Sequence, residues 1–454
     1  MEKLSAQDAA FLKMESSHCA FHVAGLMILK KPESASAGYL RRLAVKCGRL
    51  NELWSAFNKQ LANPGDLANA TWIIPEHFDP SLHVLHYALP EGGGMQALMQ
   101  LVTRAHERAL DRTRPLWELH IIEGLPRDRF AIYCKVHHAL VDGVGAMKMM
   151  EGMFSTSPGT RLRFDKPGTP MPKRKPGSLF KRIGQARTGL LNQYRAVPEL
   201  SKLIAHMGAE AIKGNEDVMR LPFSAPRTLF NTELDSRRSV VLCELPLKQV
   251  KRLGKRSGGS VNDVLLAVCG GALRAYLLEQ QALPRASLIA GLPVSLKSDT
   301  PGEGNKLSYI LSPFFTQERD PYKRLQRIIK VTSGAKKEMA NLSVTAAEDF
   351  FAMVMVPTIL LSNSGNATRV RPVINAIFSN VPGAKEKLYL DGSELESIYP
   401  LSVLTDAMGL NITVVSHANK LCFAIASCPK DQPRIHTLEA LLKASYRELR
   451  DAVA

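Results

Sequence analysis

The segment His137-His138-Ala139-Leu140-Val141-Asp142-Gly143 gathers two imidazoles, a carboxylate and a glycine within seven residues. An imidazole titrates near neutral pH and can take a proton from a hydroxyl or an amine. The carboxylate of Asp142 can orient a histidine, or lock its loop by pairing with a distant Arg or Lys. Gly143 lets the backbone turn sharply, and its N–H falls near a helix start, where developing negative charge is favoured. Four specified residues at this spacing arise by accident in about one chain in a thousand of this length. The alternative is a core histidine with satisfied hydrogen bonds beside an unrelated turn.

The flanking residues say what must hold these groups. Phe130 to His138 (FAIYCKVHH) is rich in β-formers and predicts a strand, and Val144 to Phe154 predicts an apolar helix. The motif thus sits at a strand-to-helix junction. Successive strand side chains point to opposite faces, so His137 and His138 cannot both ligate one metal, and no metal site is expected. His138 would share its face with Val136, Cys134 and Ile132, where burial keeps an imidazole neutral and suited to act as a general base. His137 falls with Lys135 and Tyr133 and reads as a structural neighbour. No G-x-S-x-G, H-E-x-x-H, P-loop or G-x-G-x-x-G pattern occurs. A base without a protein nucleophile points to direct transfer, in which a deprotonated acceptor attacks an activated acyl group.

Strand-like and helical runs alternate through both halves of the chain, an α/β pattern that divides into residues 1–155, a connector at 156–224, and 225–454. The connector is rich in Pro and Gly. Nine Lys or Arg and a single Asp lie between Arg161 and Arg187. It continues into an amphipathic helical pattern over 179–207, with Leu190, Leu191, Tyr194, Leu200 and Leu203 among its apolar positions. Such a segment either packs across the two halves or rests on an anionic membrane surface. In the last part, Ser239–Leu245 and Ser287–Val294 predict strands, and Leu410–Ser416 with Leu421–Ser427 a pair of β runs. Leu247–Arg256 predicts a basic helix stopped by Gly258-Gly259. Ser260 opens a long helix, with Asp263 placed to close a capping box. Asn262, in that first turn, is balanced between helix-start chemistry and a role at the reacting centre. The apolar stretch around Phe350 to Val356 suits an acyl tunnel or an ordinary buried helix.

Bulk properties narrow the class. The 454 residues suit two domains, with 45% hydrophobic and 22% charged residues. The net charge of +17 favours anionic partners such as substrate phosphates or lipid head groups. Nucleic acid is not expected, because the basic stretch has little aromatic interleaving. Seven scattered cysteines without a C-x-x-C pair argue against a disulfide framework and fit a reducing compartment. Without a signal-peptide core or a run of 18 uncharged apolar residues, a cytoplasmic protein is expected, at most peripheral to a membrane or lipid inclusion.

The histidine motif in this setting resembles the acyl-CoA-dependent acyltransferases that include chloramphenicol acetyltransferase and peptide-synthetase condensation domains. Other segments are similar to the bacterial wax ester synthase/diacylglycerol acyltransferase family. They are Leu4-Ser5-Ala6-Gln7-Asp8-Ala9-Ala10-Phe11-Leu12, Pro115-Leu116-Trp117-Glu118, Asn231, Arg237-Arg238, Ser260-Val261-Asn262-Asp263-Val264, Pro293-Val294-Ser295, Asn380-Val381-Pro382-Gly383 and Gly409-Leu410-Asn411-Ile412-Thr413. Two places depart from the pattern: Ala20-Phe21 precedes His22-Val23 where the family often has Pro-Met, and Lys297 stands where Arg is expected. The resemblance implies two chloramphenicol-acetyltransferase-like domains, with mixed sheets flanked by helices and a substrate tunnel between them. It implies transfer from acyl-CoA, as substrate and not cofactor, to a long-chain alcohol or diacylglycerol. His138 would be the base, assisted by His137, Asp142, Gly143 and Asn262. A condensation-type enzyme using carrier-protein thioesters and a non-catalytic lipid-inclusion protein stay open as alternatives.

Overall fold

The computed structural model describes residues 2–4, 6–67, 70–141, 145, 146, 149, 152–164, 198–296, 306–363 and 365–453. Alternating side chains along β2 (His22–Lys30), β6 (Trp117–Leu125) and β7 (Arg129–His137) build the centre of one six-stranded sheet. Its order is β12-β13-β2-β7-β6-β5, with β5 at Val84–Ala88, β12 at Tyr389–Leu390 and β13 at Ser393–Leu401. All neighbours pair antiparallel except β5 with β6, which run parallel. One face carries Phe130, Ile132, Cys134 and Val136 into an apolar cluster with Met27, Leu29, Leu119 and Ile121. Leu40, Leu43 and Cys47 of helix α2 (Tyr39–Cys47) cover that face. The other face is covered by a helix at Gly94–Glu107, and it buries the polar His22, His120, Lys135 and His137 beside the apolar Leu26, Ile28 and Ile122.

The second six-stranded sheet has the order β10-β9-β11-β14-β15-β8. In chain order these strands are β8 (Ser239–Pro246), β9 (Ile289–Leu296), β10 (Lys306–Pro313), β11 (Ala376–Val381), β14 (Leu410–His417) and β15 (Lys420–Ser427). It is mixed, since β10 pairs antiparallel with β9 and β11 pairs parallel with it. The helix Val261–Glu279 is nearly all apolar and is buried through most of its middle. It is long and apolar enough to cross a membrane, yet 67% of its apolar stretch is buried inside the protein. Glycine permits its close packing: a Cβ on Gly270 would collide with the Phe314 carbonyl, and one on Gly271 with the Ser445 hydroxyl.

By contacts the chain divides into two units, Met1–Arg174 with Val381–Val403 and Thr413–Ala424, and Lys175–Asn380 with Leu404–Ile412 and Ile425–Ala454. The expected segments 1–155, 156–224 and 225–454 differ from this division. β12 and β13 leave the C-terminal stretch to extend the first unit's sheet. The expected connector is divided as well. Its start packs on the first unit, where the Leu162 N–H donates to Asp391 and the Arg49 guanidinium lies over the Phe164 ring. Residues 165–197, with Leu190, Leu191 and Tyr194, lie outside the described residues. The described helix is Pro198–Ile212, and it buries Leu200, Leu203 and Met207 in the second unit's core. That apolar face is therefore occupied by protein.

Candidate active site

The histidines reach their positions through a hairpin. Trp117 opens β6, fully buried, with its indole N–H donating to the Phe57 carbonyl and its ring stacked on Phe57 and His83. Arg127 and Asp128, both left-handed, turn the chain into β7. The Pro-Leu-Trp segment is thus structural, and the Leu116 carbonyl accepts the N–H of His137 at 2.9 Å.

β7 ends at His137, one residue earlier than the sequence pattern predicts. His138 lies in the following turn and is half-buried. Its N–H still donates to the Phe21 carbonyl at 2.8 Å, and its ring packs on Phe11 with centroids 4.6 Å apart. Full burial falls instead on His137, which shares its face with Tyr133 and Lys135 as expected. The His137 Nδ1 accepts the Ala139 N–H at 3.0 Å, and its carbonyl accepts the N–H of Leu140. A ring nitrogen that accepts a backbone N–H carries no proton, so the neutral ring holds its proton on Nε2. That nitrogen lies 3.6 Å from Glu15 Oε1.

The polar face behind the turn is a buried network. Register places His22 opposite His137, Glu118 opposite Lys135 and His120 opposite Tyr133. The Lys135 ammonium, fully buried, lies 3.1 Å from a Glu118 carboxylate oxygen and donates to the Ala105 and Arg108 carbonyls. It thereby satisfies carbonyls at the end of the Gly94–Glu107 helix. Burial alone would raise Glu118, but the hydrogen bond with His120 and the Lys135 charge hold it down at about 2. His22, 3.2 Å from His106, is held well below the ordinary histidine value by burial and then by its neighbours His106, Lys135 and His137. Tyr133, buried in the same layer, is pushed well above the ordinary phenol value by burial and then by the Glu118 charge.

Asp142 and Gly143 lie outside the described residues. So do Val144, Met147, Lys148, Met150 and Glu151 of the helix expected after it. Asn262 belongs to the second unit, in the first turn of Val261–Glu279. It is exposed, and its carbonyl accepts from the Asn380 amide at 2.5 Å. The structure thus pairs two of the sequence motifs within one unit. Asp263 closes the expected capping box: it accepts from the Ser260 N–H and hydroxyl, and its second oxygen accepts from Thr332 at 2.6 Å. Asn231 is a buried knot, donating to the Ile374 and Ala407 carbonyls. The apolar residues Phe350, Val354 and Val356 are buried, the first two in the second unit's core cluster. All seven cysteines are buried thiols outside any disulfide. Sequence patterns gave no sign of Glu15. It sits alone after a short helix, and only the fold carries its carboxylate to the histidine turn.

Comparison with known proteins bears on this geometry. Residues 4–265 match the family model for the wax ester synthase/diacylglycerol acyltransferase catalytic domain, and residues 303–450 match the C-terminal domain of the same family. A probable diacylglycerol O-acyltransferase of Mycobacterium tuberculosis is 35% identical, with 100% of both chains covered. An O-acyltransferase of Acinetobacter baylyi is 31% identical over 100% of this chain and 98% of its own. Among solved structures, the wax ester synthase/diacylglycerol acyltransferase from Marinobacter aquaeolei VT8 matches with a TM-score of 0.79 at 29% identity, covering 100% of both chains. The first condensation domain of the CDA synthetase matches with a TM-score of 0.58 at 14% identity, over 100% of this chain and 96% of its own; this is a likeness of fold alone.

Proposed function

Since the chain belongs to the wax ester synthase/diacylglycerol acyltransferase family, we propose that it moves a long-chain acyl group from acyl-CoA directly to a hydroxyl lipid. The acceptor is a long-chain alcohol, giving a wax ester, or diacylglycerol, giving triacylglycerol. The observation that carries this reading is the setting of His138: just past the end of β7, half-exposed, with its backbone tied to Phe21 and its ring against Phe11.

In this reading the neutral imidazole of His138 takes the acceptor's hydroxyl proton as the oxygen attacks the thioester carbonyl. The C–O bond forms, and the carbonyl electron pair moves onto oxygen. When the tetrahedral intermediate collapses, the C–S bond breaks and the thiolate takes the proton from the imidazolium. Ester and free CoA thiol leave, and the histidine is neutral again. His137 supports the turn and makes no proton transfer. Asp142 organises the loop, Gly143 offers an N–H to the oxyanion, and Asn262 assists the transfer. The family match supports these roles, as do the residue types at their spacing.

The surplus of positive charge supports contact with CoA phosphates and, at the periphery, with a membrane or lipid inclusion. The seven buried thiols, none in a disulfide, support a cytoplasmic setting.

The test follows thiol release from palmitoyl-CoA with hexadecanol, then with diacylglycerol, in the wild type and in His138→Ala. Acceptor-dependent thiol and a matching ester are expected from the wild type. Loss of the base should lower kcat by about 10²–10⁴-fold while the fold survives. Wild-type protein that releases no acceptor-dependent thiol would sink the enzyme reading, and an undiminished variant would sink the assigned base.

A further inference from the structure

Glu15 follows helix α1 (Ala6–Met14), and its carboxylate is almost fully buried, with 4% of the side chain exposed. A buried carboxylate is costly unless hydrogen-bonded. Here its two oxygens divide the task. Oε2 accepts from Arg112 Nε at 3.1 Å and Nη2 at 2.9 Å, and the same Nη2 donates to the Leu12 carbonyl on α1. Oε1 accepts the N–H of Phe21 at 3.1 Å and lies 3.6 Å from His137 Nε2. Burial alone would raise the Glu15 carboxyl. The His137 side chain, the Phe21 N–H and Arg112 together hold it below its ordinary value.

Both contacts of Oε1 lead to His138. Phe21 is held at its N–H by Glu15, and its carbonyl takes the N–H of His138. The His137 ring, with its Nε2 proton toward Glu15, presents a bare Nδ1 to the N–H of Ala139. His138 is thus bracketed by two hydrogen bonds, its own N–H to the Phe21 carbonyl and the Ala139 N–H to the His137 ring, and one carboxylate oxygen backs both of them. Phe11 closes the third side, stacked on Phe21 and tilted against His138.

We propose that Glu15, anchored by Arg112, is the positioning residue for His138: it holds the Phe21 peptide and the Nε2–H tautomer of His137, which together fix the turn that presents the base. This rests on His138 being the base. An amide has a single accepting oxygen, so Glu15→Gln turns an NH2 toward either Arg112 or the Phe21–His137 pair, all of which are donors. Glu15→Asp keeps the charge but withdraws it by one methylene.

The experiment combines steady-state kinetics with palmitoyl-CoA and hexadecanol and hydrogen exchange of the peptide spanning residues 137–141. It uses full-length wild type, Glu15→Gln, Glu15→Asp, His137→Gln and the Glu15→Gln/His137→Gln double variant, with Glu52→Gln at an exposed surface pair as control. In Glu15→Gln, kcat should fall about 10–100-fold, the range for groups that orient a reactive residue, with both KM values within about twofold. Glu15→Asp should fall between it and the wild type. Because Glu15 acts partly through His137, the double variant should lose less than the product of the single losses. Exchange at residues 138–140 should quicken in Glu15→Gln while peptides of the second unit stay unchanged. A Glu15→Gln enzyme within about twofold of wild-type kcat, or strictly multiplicative losses, would overturn the proposal. So would unchanged exchange at the turn, or a kinetic loss matched by global loosening in both units. Should the wild type show no acyl transfer, the catalytic reading fails; the exchange data then still decide whether Glu15 holds the turn.

Discussion

The histidine turn of the first unit and the helix start of the second are both polar sites set beside an apolar core, and they are built in opposite ways. At the start of Val261–Glu279 the polar groups satisfy one another locally. Ser260 and Asp263 close a box within four consecutive residues, and Thr332 on the remaining carboxylate oxygen is the one partner there drawn from far along the chain. At the end of β7 the support comes from far along the chain: Glu15, His22, His106 and Glu118 converge on the layer that holds Tyr133, Lys135 and His137. A local box stabilises a helix. A converging network of buried charges costs desolvation and needs every partner, so it specifies one arrangement at a price in robustness.

That contrast can be broken most severely at Lys135. Lys135→Met takes the cation from Glu118 and unpairs two helix-end carbonyls, and should cost about 3 kcal/mol, the low end for a broken buried pair because Glu118 keeps His120 and some solvent contact. Urea unfolding would measure it, and a cost below about 1 kcal/mol would show the network to be dispensable.

Acid should reveal the same asymmetry more gently. The folded state holds His22 and His83 below their usual 6.5, chiefly through burial, so the unfolded chain binds more protons as pH falls below that value. Stability from these groups is present above 6.5 and declines below it. A second decline begins under 4.5, where Glu118, held at about 2, and Glu15 stay charged only in the folded state. Hydrogen exchange at pH 7 and pH 5 should show β2 and β7 loosening before Val261–Glu279; the reverse order would refute this account.

Asp263→Ala tests the local box. It should cost about 1–2 kcal/mol as a lost cap and leave the kinetics of the folded enzyme unchanged. The smallest structural effect is expected at exposed Asn262. Asn262→Ala should shift stability by less than about 0.5 kcal/mol, yet lower kcat about tenfold if the residue assists the transfer as proposed. Unchanged kcat would leave its pairing with Asn380 as a surface contact.

Local features were legible in the sequence. The strand β7, the helix Leu247–Arg256, the capping box at Ser260 and the β14–β15 pair all follow from periodicity and cap chemistry, which act within a few residues. The histidine motif stood out by residue type and spacing, and the opposite faces of His137 and Val136 follow from strand alternation. The end of the strand was misplaced by one residue. That end is set by where the hydrogen bonds to Leu116 and Phe21 stop, and neither lies within the motif.

Residue types, spacing and periodicity thus determined the family, the α/β class and the motif that carries the chemistry. Only tertiary structure decided that β13 joins β2, that Tyr133, Lys135 and His137 face a buried polar layer, and that Glu15 lies behind the histidine turn. The physical reason is separation along the chain. A carboxylate and an imidazole 122 positions apart leave no periodic mark on the sequence, and they become neighbours only when a sheet and a helix bury both.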